Sequence, residues 1–196
     1  MNSTNGCLRD NRHKMSKHRL QVEDALFMVV DLQANLMKVM DQAAKVYRNT
    51  QVMLAACRQL DIPVVVTEQY PKGLGHTVAE VSDSLGAHTI LEKGSFTALT
   101  GEVAGVLQEF NRRQVIIAGS ETHVCVFQTV RDLLDAGFEA FVLADAVCSR
   151  TKDNYRIGLA LMRDEGAVVT GTETVIFDLL KKSGTMEFKA ISQLLK

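Results

Sequence analysis

Residues 115–126, which read VIIAGSETHVCV, hold the pattern that decides the fold. A short apolar run ends at Gly119, and a polar turn separates it from Cys125. Short β-branched runs bounded by Gly or polar residues indicate strands buried on both faces, as in a parallel sheet. Beyond the turn, apolar residues recur at helical spacing as far as Gly137: Val126, Val130, Leu133 and Leu134. The stretch therefore predicts a strand, a turn and a helix.

The same alternation of strand and helix patterns extends in both directions along the chain. Further strand patterns cover residues 25–30, 62–66 and 138–144, with weaker ones at 89–91 and 167–169. Further helical patterns cover residues 36–60, 97–110, 152–165, 173–181 and 186–195. Strands that alternate with helices imply right-handed crossovers and a parallel sheet between two helical layers. We predict a three-layer α/β/α, Rossmann-like domain.

Length and composition fit one globular domain. The chain has 196 residues, of which 46% are hydrophobic and 23% are charged, and its formal net charge is −1. A chain of this size buries a core without needing a metal or a disulfide. The balanced charge and the lack of Trp favour neither a nucleic acid nor a membrane surface as partner. No run approaches the roughly 20 apolar residues of a membrane span.

The four cysteines are widely spaced and form no CxxC pair: Cys7, Cys57, Cys125 and Cys148. This spacing argues against a zinc site, a thioredoxin motif and a disulfide framework. We therefore expect reduced thiols and a cytoplasmic location. Helical spacing places Cys57 in the core, whereas Cys148 is either a packed thiol or a residue at the edge of a pocket.

The N-terminal stretch differs in charge from the remainder of the chain. Residues 1–20 carry five basic residues and one acidic residue, so the rest of the chain has a net charge of −5. We predict a basic, disordered tail over residues 1–24 and a folded domain over 25–196. The alternatives for the tail are a leader segment and an organellar targeting segment.

In sheets of this type, ligands bind beyond the carboxyl ends of the strands, where the strand order reverses. The candidate functional positions at such strand ends are Asp31, the segment 67–76, Lys93, the turn 119–125 and Asp145. We expect Asp145 to hold the loop that carries Cys125.

Each candidate side chain has a structural alternative. Cys125 falls in the first helical turn, where the helix dipole favours a thiolate nucleophile, but free Cys is also among the most buried residues. Asp31 needs a partner if it is buried, or it caps the next helix. Gln33 either orients Asp31 or a substrate, or it is a solvated loop residue. Lys93 taken alone is most simply a surface lysine.

Taken together, three motifs resemble the isochorismatase-like cysteine hydrolase superfamily. They are Asp31-Leu32-Gln33 after the first strand, Lys93 three residues before Phe96, and Gly119-x-x-Thr122-x-x-Cys125 after the fourth strand. The resemblance runs from Ala25 to the C-terminus. The segment 67–75, TEQYPKGLG, looks most like isochorismatase-domain hydrolases of unassigned specificity.

The resemblance implies a six-stranded sheet in the order 3-2-1-4-5-6 and assigns roles to the three residues. Asp31 becomes the general base, Lys93 the stabilising cation and Cys125 the nucleophile. It also implies a cis peptide bond between Ser120 and Glu121, with the amides of Glu121 and Cys125 forming an oxyanion hole. Family members are usually homo-oligomers, so we expect self-association.

Departures from the family pattern narrow the expected chemistry. Nicotinamidases carry an Asp-x-His metal site after the second strand, where this chain has Thr67-Glu68-Gln69-Tyr70, so we expect neither a metal nor another cofactor. Isochorismatases proper replace the cysteine that is present here as Cys125. We therefore expect metal-independent hydrolysis of a C–N bond in a small amide or ureido substrate through a thioester.

The last expectations concern the walls of the substrate pocket and the alternative functions. The candidate pocket walls are Gln33, Tyr70, Phe96 and Phe127. A binding or scaffold protein that keeps the fold without turnover is the alternative function. RNA processing would need a basic groove with stacking aromatic residues, and the basic tail has no aromatic residue.

Overall fold

The computed structural model describes residue 16 and residues 18–195. Their core is one parallel sheet of six strands in the order β3-β2-β1-β4-β5-β6. The strands are β1 (Ala25–Val30), β2 (Val64–Gln69), β3 (Thr89–Lys93), β4 (Gln114–Ser120), β5 (Glu139–Cys148) and β6 (Val168–Thr170). The predicted fold class and strand order are confirmed.

Helices cover both faces of the sheet. They are α1 (Ala34–Met37), α2 (Ala43–Gln59), α3 (Pro71–Leu74), α4 (Ala79–Ser82), α5 (Gly101–Phe110), α6 (Phe127–Asp135), α7 (Lys152–Asp164), α8 (Thr172–Leu180) and α9 (Met186–Ser192). A π-helical turn, Thr122–Val126, precedes α6. Successive side chains of β1 point to opposite faces of the sheet. Phe27 packs in the core cluster that contains α2 and α8 residues. Met28 packs in the cluster that contains α5, α6 and α7 residues.

The single helix predicted over residues 36–60 is wrong. Helix α1 ends at Met37 and α2 begins at Ala43, with Gln42 in a left-handed conformation at φ 60°. The backbone N–H of Asp41 donates to the carbonyl of Ser149 at 3.0 Å, so the chain turns toward the end of β5. Met40 is buried despite the break, which explains why the apolar spacing suggested one continuous helix.

The domain begins before the predicted boundary at Ala25. Leu20 is only 1% exposed and belongs to the core. Its N–H donates to Asp178 Oδ2 at 2.6 Å, and its carbonyl accepts from Lys181 Nζ at 2.5 Å. The predicted tail over residues 1–24 is therefore too long at its C-terminal end. Residues 1–15 and 17, including Cys7, lie outside the described residues.

Candidate active site

The two central strands meet closely at their carboxyl ends. Val30 of β1 pairs with Gly119 of β4, and a Cβ on Gly119 would lie 2.3 Å from the Val30 carbonyl oxygen. Gly119 also has φ +149°, which strongly favours glycine. The residue after β1, Asp31, adopts φ 50°, an unusual conformation for a non-glycine residue that is found disproportionately at functional sites. This close approach brings Asp31 next to the turn that follows β4.

Asp31 and Lys93 form a fully buried ion pair. Lys93 Nζ lies 2.6 Å from Asp31 Oδ2, and neither side chain is exposed. Thr67 donates its hydroxyl to Asp31 Oδ1 at 2.9 Å. Lys93 Nζ also donates to the carbonyls of Ser95 and Phe96, each at 3.0 Å. The interpretation of Lys93 as a surface lysine is wrong. Lys93 ends β3 on the side of the sheet where the carboxyl ends of the strands lie, and its side chain is buried there against Asp31.

Cys125 lies in the π-helical turn and is 5% exposed. Its thiol donates to Gln69 Oε1 at 3.4 Å. Its carbonyl accepts from the Thr129 hydroxyl at 2.6 Å, and the same hydroxyl accepts from the Ala98 N–H at 2.8 Å. Thr129 therefore links the Cys125 turn to the segment that follows Lys93.

The pKa values of Asp31 and Cys125 are both raised. Burial raises the pKa of Asp31, although the neighbouring Lys93 charge lowers it. Burial and then the Asp31 charge raise the pKa of the Cys125 thiol to about 12, against smaller lowering effects of Lys93 and of a hydrogen bond from the Glu121 backbone. Burial and the Asp31 charge thus favour the protonated thiol, whereas the position at the start of a helix favours the thiolate.

The peptide bond between Ser120 and Glu121, where the resemblance implied a cis bond, is cis. Ser120 donates its hydroxyl to the Asp31 carbonyl at 2.8 Å, and the Glu121 carboxylate accepts from Arg150 Nε at 3.0 Å. The turn before Cys125 is thus attached to two other elements. Sequence reasoning missed Arg150, because nothing in its local pattern links it to a residue 29 positions earlier.

Gln33 does not form a pocket wall. Its side chain is fully buried, and Nε2 donates to the carbonyls of Gln69 at 2.9 Å and Gly75 at 2.6 Å. Its Oε1 accepts from the Gln69 N–H at 2.8 Å. The solvated alternative is wrong, because the buried amide holds the segment 69–75 in place, and the orienting role stays a prediction. Sequence reasoning points to the segment 67–76 but does not single out Gln69, which contacts the Cys125 thiol.

The three aromatic candidates differ in exposure. Tyr70, next to Gln69, is 63% exposed, and Phe96, whose carbonyl binds Lys93, is 53% exposed. Phe127 is half-buried, and the Arg131 guanidinium lies 5.7 Å from its ring centroid. Tyr70 and Phe96 therefore expose aromatic surface, and Phe127 exposes less of its ring.

Several other candidates have structural roles. Asp145 Oδ1 accepts from both the N–H and the hydroxyl of Thr172, so it holds the start of α8 and not the Cys125 loop. Cys57 and Cys148 are both buried, at 1% and 2% exposure. His123 is half-buried, and its Nδ1 lies 3.1 Å from the Ser149 hydroxyl.

The Glu68 side chain makes hydrogen bonds to the segment that follows β2. Glu68 Oε1 accepts from the N–H and the hydroxyl of Thr77, and Oε2 lies 2.8 Å from His76 Nδ1. These bonds occupy the carboxylate at the position where the family pattern places metal ligands. Among the described residues, no group of three His, Cys, Asp or Glu side chains is arranged to hold a metal ion. Within the same residues, no helix is both long and apolar enough to cross a membrane.

A model of the isochorismatase domain matches residues 25–174. The "Secreted isochorismatase effector Isc1" of Phytophthora sojae is 39% identical over 183 residues, which cover 91% of this chain and 87% of that protein.

Solved structures share the fold over most of the chain. The MAR1 ribonuclease of Caenorhabditis elegans is 33% identical, with a TM-score of 0.86, over 90% of this chain and 92% of that one. YcaC from Pseudomonas aeruginosa, solved with hexane-2,5-diol and covalent acrylamide, is 25% identical, with a TM-score of 0.83, over 90% of this chain and 91% of that one.

Proposed function

Because the chain belongs to the isochorismatase family, we propose that it is a metal-independent cysteine hydrolase that cleaves the C–N bond of a small amide or ureido compound. The observation that carries this proposal is the buried set formed by Cys125, Asp31 and Lys93, in which a thiol interacts with a carboxylate that is itself paired with an ammonium group. A thiol with an adjacent base and cation is the arrangement that activates a cysteine nucleophile.

The first chemical step is attack by the Cys125 sulfur on the substrate carbonyl carbon. The thiol proton passes to Asp31, whose raised pKa makes it a stronger base than an ordinary aspartate. The C–S bond forms as the carbonyl π bond opens, which leaves a negative oxygen. The backbone N–H groups of Glu121 and Cys125 stabilise that oxygen.

The second step expels the amine and leaves a thioester on Cys125. Asp31 returns the proton to the leaving nitrogen as the C–N bond breaks. Asp31 then takes a proton from water, whose oxygen attacks the thioester, and that proton returns to the departing sulfur. The products are an acid and an amine. The Cys125 thiol is protonated again and Asp31 is again a carboxylate. Lys93 holds Asp31 in place and balances its charge through the cycle.

A further observation supports this chemistry. In this chain, Gln69 presents an amide oxygen to the thiol, and Gln33 fixes the backbone of Gln69. Gln69 Oε1 can therefore accept an N–H of a primary amide or urea once the thiol proton has left.

RNA cleavage is the second candidate function, because the Caenorhabditis elegans neighbour is named a ribonuclease. The exposed rings of Tyr70 and Phe96 offer stacking surface for bases. The site itself favours the amide, since a thiol nucleophile that forms a thioester attacks a carbonyl carbon, and an RNA phosphodiester group has none. A labelled RNA oligonucleotide incubated with wild type and Cys125→Ala separates the candidates, because RNA cleavage by wild type alone would contradict the amidase proposal.

We also propose that the chain self-associates, with Tyr70 and Phe96 close to the contact. Both aromatic side chains are more than half exposed, and exposed aromatic residues are enriched in interfaces. A scaffold without turnover remains the alternative to an enzyme, and it would tolerate the loss of Asp31.

The direct test is mass spectrometry after treatment with chloroacetamide, followed by a panel of primary amides and N-carbamoyl compounds. We expect label on Cys125 and ammonia or amine release by wild type. Cys148→Ala, which removes another buried thiol, is the matched control and retains both. Equal labelling of wild type and Cys125→Ala, or equal turnover by wild type and Asp31→Ala across the panel, would overturn the proposal.

A further inference from the structure

A cavity of about 320 Å³ opens beside the carboxyl end of β5, between the N-terminal ends of α2 and α7. Buried residues of β5 and its continuation form its floor: Val147, Cys148 and Ser149. The half-buried Tyr155 forms a wall, and its hydroxyl donates to the Ala144 carbonyl at 2.6 Å. The volume lies at the lower end of the range for small-molecule sites.

This cavity is separate from the Cys125 site. Its lining contains none of the residues that contact the Cys125 thiol or pair with Asp31. Two lining residues connect it to the turn that carries Cys125: the Ser149 hydroxyl lies 3.1 Å from His123 Nδ1, and Cys148 pairs in the sheet with Ser120. A ligand of this cavity would therefore bind without touching the candidate nucleophile.

Three cationic side chains line the cavity: Lys45 from α2, and Lys152 and Arg156 from α7. Within the described part of the chain, neither Lys45 nor Lys152 makes an ion pair, and Arg156 is 3.7 Å from the exposed Asp153 carboxylate. Two of the three cations, Lys45 and Lys152, thus have no carboxylate partner among the described residues, whereas Arg156 has one.

Two acidic residues also line the cavity, and one is already engaged. Asp145 Oδ1 accepts two hydrogen bonds from Thr172, which hold this carboxylate against the start of α8. Asp41 accepts a hydrogen bond from Gln42 Nε2 at 3.3 Å. The lining thus carries three cations and two carboxylates, and the Asp153 carboxylate outside it pairs with Arg156, so the two lysines are the cations left for a ligand.

The start of α2 adds to this positive potential. Gln42 makes no side-chain capping bond, and the first turn of this 17-residue helix has no acidic residue. Gln42, Lys45 and Val46 all line the cavity. The positive end of the helix dipole therefore lies on the same side as the three cationic side chains.

We infer that this cavity is a binding site for a small organic anion that carries a phosphate or carboxylate group. Arg156 supplies the planar donor group that pairs with either oxyanion, and the two lysines supply point charges. The apolar floor and the Tyr155 ring accept the organic part of the ligand.

Titration calorimetry at constant ionic strength tests the inference with inorganic phosphate and succinate as separate probes. We expect saturable binding of at least one, which identifies the preferred oxyanion. Arg156→Met and Lys152→Met should each weaken binding about tenfold, which corresponds to about 1.4 kcal/mol. Arg163→Met, on the same helix but outside the cavity, should leave binding unchanged.

Two additional arms distinguish anion binding in this cavity from anion binding at Cys125 and from cation binding. Cys125→Ala should bind the probe as wild type does, and loss of binding in that variant would place the anion in the Cys125 site and overturn the inference. Propane-1,3-diamine should not bind, and tighter binding of this cation than of either anion would show that the two carboxylates dominate. Absence of saturable anion binding, or equal weakening in Arg156→Met and Arg163→Met, would also overturn it.

Discussion

Asp31 and Lys93 have opposite effects on the pKa of the Cys125 thiol. The negative charge of Asp31 raises the thiol pKa, and the positive charge of Lys93 lowers it. Asp31→Asn removes the base and leaves the cation. We therefore expect Asp31→Asn to lose about 10²–10⁴-fold in hydrolysis while its thiol reacts faster with iodoacetamide at pH 7.5 than that of wild type. Rates of Cys125 modification, followed by mass spectrometry, measure the second effect.

Lys93→Met supplies the opposing control for this prediction. It leaves the Asp31 charge without a partner, so the thiol pKa should rise and alkylation should slow. Because either change leaves one buried charge unpaired, thermal unfolding must first show that each variant is folded. Slower alkylation of a folded Asp31→Asn variant than of wild type would contradict the assigned coupling.

The raised pKa of Cys125 also predicts how its reactivity depends on pH. With a thiol pKa of about 12, the thiolate fraction increases about tenfold for each pH unit between pH 6 and 10. The iodoacetamide rate should follow this increase without a plateau. Hydrolysis should instead fall on the acid side, as Asp31 becomes protonated, with a midpoint above the ordinary Asp value of 3.8. A plateau in the alkylation rate below pH 8 would show a preformed thiolate.

At the scale of secondary-structure elements, α7 fixes the π-helical turn through Gly158. A Cβ on Gly158 would lie 2.8 Å from His123 N and from the carbonyl carbon and oxygen of Thr122. Gly158→Ala must therefore push the turn away from α7, and overpacking of this kind costs about 1–3 kcal/mol. We expect urea denaturation to show that loss, together with a changed alkylation rate of Cys125.

Gly105→Ala is the matched control, because it makes the same substitution inside another helix. No atom lies within 4 Å of its added Cβ, so this variant should gain about 0.5–1 kcal/mol from helix propensity. Its alkylation rate should equal that of wild type. An unchanged free energy of unfolding in Gly158→Ala would show that α7 yields without affecting the turn.

The elements also show which features the sequence predicts and which it does not. β1 and β4 were predictable because short apolar runs carry a strong local signal. The break at Gln42 was missed because Leu36, Met40, Ala43 and Tyr47 recur every three or four residues across it. Gln69 and Arg150 were missed for a different reason: their contacts with Cys125 and Glu121 depend on tertiary structure, and single polar residues carry no periodic signal.

At the scale of the whole molecule, one sheet order explains why distant residues meet. The reversal between β1 and β4 places Asp31 beside the Cys125 turn, and β3 lies two strands away on the same edge. Lys93 therefore reaches Asp31 only because its long side chain extends across the end of β2. The carboxyl ends of parallel strands lie at the same end of a sheet, however far apart they are in the sequence. A resemblance that covers several motifs could therefore predict that Asp31, Lys93 and Cys125 lie together, whereas the local pattern around each residue could not.

The extent of the folded domain gives a last prediction. Leu20 is an isolated apolar residue near a basic stretch, which is why it resembled part of a tail, but it packs in the core and is 1% exposed. Leu20→Ala should lower the free energy of unfolding by about 2–5 kcal/mol, the usual cost of a buried leucine truncation. Val39→Ala, at 59% exposure, should change it by less than about 0.5 kcal/mol. Equal urea midpoints for the two variants would mean that the domain folds without Leu20 and begins at β1.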